Sequence, residues 1–258
     1  MIPFPNISPE IVRIGPLAVR WYGMMYLVGF GASYLLVGRQ IKKKGLPFAE
    51  DFVESLYTYL ILGLLLGARL GYVVFYNPLH YLSHPLDIVA VWHGGMSFHG
   101  GLIGTALAGL LFCRQVKADF WATADLIVVP APIGLALGRF GNFINGELYG
   151  RVTDAPWGMV FPGGGPQPRH PSQLYEIFLE GVVLFIVMWA IKDRAFRPGV
   201  LASVFLILYG TFRFVVEFFR EPDAQLGYVL FNFITMGQVL SASMIVIGLC
   251  ILFPRKAK

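Results

Sequence analysis

Three clusters of polar residues sit in or beside stretches that are otherwise apolar. The segment 138–150, GRFGNFINGELYG, places Arg139, Asn142, Asn145 and Glu147 directly after the apolar run VVPAPIGLAL. A second cluster lies in GVLASVFLILYGTFRFVVEFFREP, where Tyr209, Arg213 and Glu217 are four residues apart and Arg220 follows three later. At 3.6 residues per turn, these four side chains line one face of a helix. Charged groups inside apolar spans are expensive in a bilayer, so they face protein or water and mark candidate functional sites. Two arginines from different helices, facing inward at one depth, suit a planar anion such as phosphate or carboxylate. An interhelical polar seam, with an internal Arg213–Glu217 pair and Arg220 reaching to the interface, explains the stripe alone equally well. An interface anchor explains Arg139 alone. The two arginines taken together with Asn142, Glu147 and Tyr209 favour the anion site.

The third cluster is WHGGMSFHGG, residues 92–101. His93 and His99 are six residues apart, about 240° around a helix, which argues against a shared metal, and there is no HExxH. The flanking glycines let backbone or substrate approach closely. His99 is the candidate general base or hydrogen-bond donor near neutral pH, while a histidine satisfied within a helix break accounts for either one alone. Ser97 stands in GGMSFHG rather than GxSxG, against a membrane serine hydrolase. Arg69, in GLLLGARLGY, is expected either to add positive potential or to pair with Glu147. Ser172, in RHPSQLYE, is expected to start the fifth span together with Glu176, and it reads first as a helix N-cap and second as a substrate contact. Cys113 and Cys250 lack CxxC spacing and read as buried or interfacial thiols. No metal site and no redox cofactor are expected.

The elements that must hold these groups are long apolar helices. About 20 apolar residues cross a hydrocarbon core, and seven candidate spans occur: roughly Leu17–Val37, Phe52–Tyr76, Asp87–Phe112, Phe120–Gly138, Leu174–Ile191, Gly199–Arg220 and Tyr228–Phe253. The third is interrupted by the histidine–glycine cluster and is expected to be broken or partly re-entrant. Every lysine (Lys42, Lys43, Lys44, Lys117, Lys192, Lys256, Lys258) falls after spans 1, 3, 5 or 7. Basic residues accumulate in cytoplasmic loops, so the N-terminus is expected outside and the C-terminus inside. The loops on the other side carry Asn, Gln, His, Trp, Gly and Pro but no lysine. The segment of about 35 residues between spans 4 and 5 is too long for a plain connection and is expected to form a small outer head, 140–173, inserted in a single polytopic domain, 1–258.

Composition agrees. The chain has 258 residues, 56% hydrophobic and 14% charged, against about 25% charged in soluble domains. The mean hydropathy is +0.65. The net charge of +5 is dispersed rather than clustered on a face, which argues against nucleic acid. The N-terminus has no basic region before its first apolar run and does not read as a cleaved signal peptide. A transporter or channel for an anionic solute is the competing class. It predicts polar residues continuing to the cytoplasmic side, whereas the inner halves of spans 5, 6 and 7 are almost wholly apolar.

The strings HGGMSFHGG, GRFGNFINGELYGR, RHPSQLYE and YGTFRFVVEFFREPD closely resemble the bacterial prolipoprotein diacylglyceryl transferase family, in the expected order along nearly the whole chain. Tyr149 stands where that family often has tryptophan. The resemblance implies an all-α, seven-helix enzyme of the bacterial inner membrane with its active site at the periplasmic leaflet. It implies transfer of the diacylglyceryl group of phosphatidylglycerol to the lipobox cysteine of a preprolipoprotein signal peptide, forming a thioether and releasing glycerol phosphate before signal peptidase II cleaves. By motif match it implies important roles for His99, Arg139, Asn142, Glu147, Gly150, Tyr209, Arg213 and Glu217. A further tyrosine of helix 1 is matched by Tyr22 or Tyr26, with Tyr26 preferred. On this basis Arg139 and Arg213 are expected to grip the phosphate, Glu217 and Glu147 to orient them, Asn142 and Tyr209 to add hydrogen bonds, and His99 to act as base. Asn142 is preferred over Asn145 as the substrate contact.

Overall fold

Helices in this chain stop where the sequence supplies a stop, and those stops shape the site. The computed structural model describes residues 2–5, 7–15, 17–76, 78–90, 94–222, 227–230 and 233–253. A hairpin of β1 (Glu10–Ile14) and β2 (Leu17–Arg20) runs antiparallel, with a bulge between Glu10 and Val12. It leads into α1 (Trp21–Lys44), α2 (Phe52–Tyr76), the short α3 (Pro78–Ser83), a 3-10 turn (Pro85–Ile88) and α4 (Phe98–Gln115). Then come α5 (Phe120–Val128) and α6 (Ala131–Asn145). A continuous helical run over 172–191 follows, made of α7 (Ser172–Glu176), a π-helical stretch (Ile177–Val183) and α8 (Leu184–Ile191). α9 (Val200–Val216), the two-strand pair β3 (Tyr228–Leu230) and β4 (Ile234–Thr235), and α10 (Met236–Leu252) complete the chain.

The described chain is mostly helical, and the two small hairpins modify the all-α expectation. Phe52–Phe75 and Ser172–Ile191 are long and apolar enough to cross a membrane, and α5 with α6, bent by 47° at Val129–Pro130, makes a third candidate. Several spans differ from the sequence pattern for identifiable reasons. The first helix begins at Trp21, because Leu17–Arg20 pairs as a strand. The third begins at Phe98, where the Ser97 hydroxyl accepts from Gly100 N and caps it. Pro130 breaks the fourth, which then runs on to Asn145. It ends there because Gly146 adopts φ +67°, and the N–H groups of Gly146 and Glu147 return to the Phe143 and Asn142 carbonyls. Residues 140–145, expected in the head, therefore belong to α6, and the non-helical segment starts at Gly146. The helix of the seventh expected span, α10, begins at Met236, after a capping box between Thr235 and Gln238.

The chain divides into two compact units: Met1–Val37 with Ala124–Lys258, and Gly38–Thr123. In the second, α2 and α4 approach through glycines. A Cβ on Gly67 would stand 2.4 Å from Gly100 O, and one on Gly104 would stand 2.2 Å from Gly63 O. Small residues every four positions permit this backbone contact, the usual way membrane helices gain packing without a hydrophobic driving force. On the outer face of α2, Leu62, Leu65, Leu66, Leu70 and Val74 are exposed, as a lipid-facing surface requires. In the first unit, the break between α5 and α6 meets α8 and α9 around Val129, Leu184, Met188 and Leu201. The head closes over Phe143, Met159 and Phe161, with Phe4, Tyr149 and Leu174 against them.

Candidate active site

The site is built from α6, α7, α9 and the start of α10, all within one compact unit. α6 carries Arg139 and, one turn on, the buried Asn142. α9 carries Tyr209 and Arg213, and Glu217 follows its last residue. The element that joins them was not expected to take part. Glu176, at the end of α7 and 1% exposed, places its carboxylate between the two arginines. Its Oε2 lies 2.7 Å from Arg139 Nε, and its Oε1 accepts a hydrogen bond from Arg213 Nη1.

Arg213 is held on its other side as well, since its Nη2 lies 2.6 Å from Glu217 Oε2. Glu217 Oε1 accepts from Thr235 Oγ1 at 2.9 Å, and Arg220 Nη1 stands 3.9 Å from Glu217 Oε2. A Cβ on Gly237 would stand 2.5 Å from Glu217 Oε1, so glycine lets the first turn of α10 close onto this carboxylate. The Arg213–Glu217 pair expected within the stripe is thus present, joined by a second carboxylate, that of Glu176, from another helix. Removing one partner from such a buried pair strands the other charge and costs about 3–5 kcal/mol.

Around Arg139 the contacts are looser. Its Nη1 donates to Asn142 Oδ1 at 3.5 Å, Nη2 makes no hydrogen bond among the described residues, and the side chain is 22% exposed. Asn142 Nδ2 and Asn145 Nδ2 both donate to Glu147 Oε1, at 2.9 and 3.0 Å. Glu147 is thus tied to Arg139 through Asn142. Gln173 Nε2 donates to the Glu147 carbonyl, and the Ser172 hydroxyl donates to Leu148 O at 3.0 Å. Ser172 is consequently no N-cap: Pro171 holds that position, and the serine stitches the helix to the loop after α6.

The remaining sequence candidates divide. Tyr209 stacks on Phe205 and lies within electrostatic reach of Arg139 and Arg213. Tyr22 packs on Gly141 of α6, where a Cβ would stand 2.8 Å from its ring, and its electrostatic neighbours include Arg139 and Glu147. Tyr26 is 44% exposed, with its hydroxyl 3.2 Å from that of Tyr22. Gly150 donates its N–H to His170 O, and a Cβ there would stand 2.4 Å from Phe219 O. Its missing side chain is what lets the head meet the segment following α9.

In the other unit, His99 lies in the first turn of α4, and its side chain, like all of His93, is outside the described residues. Arg69 is 5% exposed and spends all its N–H groups on carbonyls: Ile88 from Nε, Gly94 and Gly95 from Nη1, Asp87 and Ala90 from Nη2. No Arg69 N–H is left over for the pairing with Glu147 that the sequence offered as one alternative. Arg69 is a brace for the segment leading to the HGG motif. Among the described residues no three His, Cys, Asp or Glu side chains group to hold a metal.

In the head, His170 Nδ1 lies 2.9 Å from the Tyr175 hydroxyl, which also accepts from Trp157 Nε1 at 2.7 Å. Burial pushes the His170 pKa down, favouring the neutral ring. Arg169 ties the head together, donating to Gly164 O, Gly150 O and Glu221 Oε2 and lying over the Tyr149 ring. The bridging role of Glu176 does have a sequence signal: LYEIFLEGVV carries two acids four apart in an apolar run, the same mark of an intramembrane site as the stripe of α9.

Preorganised guanidinium groups in a buried setting stabilise an anion or a developing negative charge. Similarity to known proteins agrees with that chemistry. Residues 9–254 match the family model for prolipoprotein diacylglyceryl transferase. The phosphatidylglycerol–prolipoprotein diacylglyceryl transferase of Desulfotalea psychrophila is 55% identical over 257 residues, covering 97% of this chain and 94% of the relative. That of Geobacter sulfurreducens is 56% identical over 246 residues, 95% and 94% of the two chains. The enzyme of that name from Legionella pneumophila (strain Lens) is 48% identical, covering 96% and 97%. This chain is a bacterial membrane protein that belongs to the prolipoprotein diacylglyceryl transferase family.

Proposed function

We infer that the protein transfers the diacylglyceryl group of phosphatidylglycerol to the cysteine thiol of a prolipoprotein. The observation that carries this reading is the pair of arginines joined by Glu176, in a chain whose relatives bear that activity in their names. The thiol sulfur attacks the glyceryl carbon that bears the phosphate. A C–S bond forms, the C–O bond to phosphate breaks, and glycerol 1-phosphate leaves with the electron pair. Negative charge grows on the departing phosphate, where guanidinium groups fixed beforehand lower the barrier most in a water-poor site. Arg139, with its open Nη2, and Arg213 receive the phosphate, and Glu176 and Glu217 hold their planes. Asn142 links Arg139 to Glu147, and Tyr209 adds a hydrogen bond.

The thiol, with an ordinary pKa of about 8.5, reacts as thiolate. His99 takes its proton, a role that rests on the motif match. Tyr22, packed on α6 at Gly141, lies within electrostatic reach of the same arginine, and Tyr26 contacts Tyr22. The acceptor is the lipobox cysteine of a signal peptide, reached in the membrane. Seven spans with the N-terminus outside, as the lysine distribution supports, put the arginine pair at the periplasmic leaflet of the bacterial inner membrane, below the head that begins at Gly146.

Incubating purified protein with phosphatidylglycerol and a lipobox peptide tests the reaction. Mass spectrometry is expected to find the peptide heavier by one diacylglyceryl group on cysteine, with glycerol phosphate released in equal amount. Intact peptide and lipid, or transfer of an acyl chain alone, would exclude the reaction.

A further inference from the structure

A further acid lies near the arginine pair. Glu180 lies on the π-helical stretch, four residues beyond Glu176, and is 0% exposed. Neither of its carboxylate oxygens has a hydrogen-bond partner among the described residues. A buried ionised carboxylate without hydrogen bonds is costly, and so is the widened turn that carries it, a kind of turn frequent at functional sites. α6 presses against this turn, since a Cβ on Gly181 would stand 2.5 Å from that of Ala136.

Among the described residues, the groups within electrostatic reach of Glu180 are Glu176 from its own helical run, Arg139 from α6, Tyr209 and Arg213 from α9, and Arg220 beyond it. Counting Glu217, three guanidinium charges oppose three carboxylates, so the cluster has no net charge when all are ionised. A phosphodiester brings one more negative charge into this buried setting. One proton restores the balance. Glu176 and Glu217 are held by arginines, and Glu217 also by Thr235. Glu180 has no such hold.

We propose that Glu180 takes up a proton when the phosphate of the lipid binds at Arg139 and Arg213, so that anion and proton enter together. Glu180 is then a positioning residue: it touches no reacting atom and sets the charge that the arginines present. The inference rests on the phosphate reading above and makes a separate prediction. The arginine pair alone requires no proton uptake.

Calorimetric titration of the detergent-solubilised full chain with dihexanoyl phosphatidylglycerol, in two buffers of different ionisation enthalpy, counts the protons. The unsubstituted protein is expected to take up about one proton per lipid and to bind about tenfold more weakly for each pH unit of increase. Glu180→Gln is expected to bind with no proton uptake and a flat pH dependence. Arginine-dependent binding by the unsubstituted chain without proton uptake would overturn the inference, whether or not the variant folds. So would an unchanged proton count in Glu180→Gln. Binding unaffected by Arg213→Ala would instead remove the phosphate reading beneath it.

Discussion

Arg139 and Arg213 come from different helices yet share one counter-ion, the carboxylate of Glu176, with 2.7 Å between Arg139 Nε and Glu176 Oε2. Two like charges are thereby held side by side, and each keeps a fixed plane for an incoming anion. Glu176→Gln retains the shape and removes the charge. It is expected to lower kcat/KM by about 10²-fold, the scale of losing one preorganised contact to developing charge. Glu176→Ala is expected to cost about 3–5 kcal/mol of stability besides. Kinetics and thermal unfolding in detergent check both values, and a Glu176→Gln enzyme of normal rate would remove the bridge from the mechanism.

The contact of α2 with α4 depends on absent side chains. A methyl group on Gly104 meets the Gly63 carbonyl at 2.2 Å, whereas one on Gly109 meets the flexible end of Leu60 at 3.4 Å and the Phe120 ring at 4.0 Å. Gly104→Ala is expected to destabilise by about 1–3 kcal/mol, or roughly 2–10 °C in melting temperature. Gly109→Ala is expected to unfold within about 2 °C of the parent. Equal melting of the two variants would contradict the close packing.

Arg69 satisfies five backbone carbonyls between Asp87 and Gly95. Lysine has three donors and no planar fork. Arg69→Lys is expected to leave at least two carbonyls unpaired, at about 1–3 kcal/mol each where buried. Limited proteolysis is expected to cut the segment 87–95 faster in this variant, and unchanged cleavage would count against the brace.

The head titrates through His170. Burial lowers its pKa in the folded chain, so the unfolded chain binds more protons between the folded pKa and the ordinary value of about 6.5. The stabilisation is complete above that ordinary value and is lost as pH falls through the folded pKa. His170→Gln, which cannot titrate, is expected to flatten the dependence of melting temperature on pH below about 6.5. A parent protein equally stable at pH 5 and pH 8 would contradict the assignment.

What the sequence made legible follows from period and composition. The 3.6-residue spacing of Tyr209, Arg213 and Glu217 sufficed to put them on one face and to pair the last two. The polar string from Arg139 to Glu147 pointed to the same site. The acids of LYEIFLEGVV mark an intramembrane site, but the bridge from Glu176 to both arginines was not legible, because a contact between helices has no spacing along the chain. The glycine contact of α2 with α4 was present as Gly63, Gly67 and Gly71 facing Gly100 and Gly104, a small-residue repeat that the hydropathy reading passed over. Helix ends shifted wherever a proline, a cap or a short strand took residues that hydropathy alone assigns to a span, as at Pro130, Thr235 and Leu17–Arg20.

The central claim is that Arg139 and Arg213 together receive the phosphate that leaves. Measuring kcat/KM for diacylglyceryl transfer from phosphatidylglycerol to a lipobox peptide tests it most directly, using Arg139→Ala and Arg213→Ala variants confirmed to fold. Each is expected to lose about 10²–10³-fold, the scale of removing a preorganised donor from a developing anion. Parental rates in both variants would contradict the account.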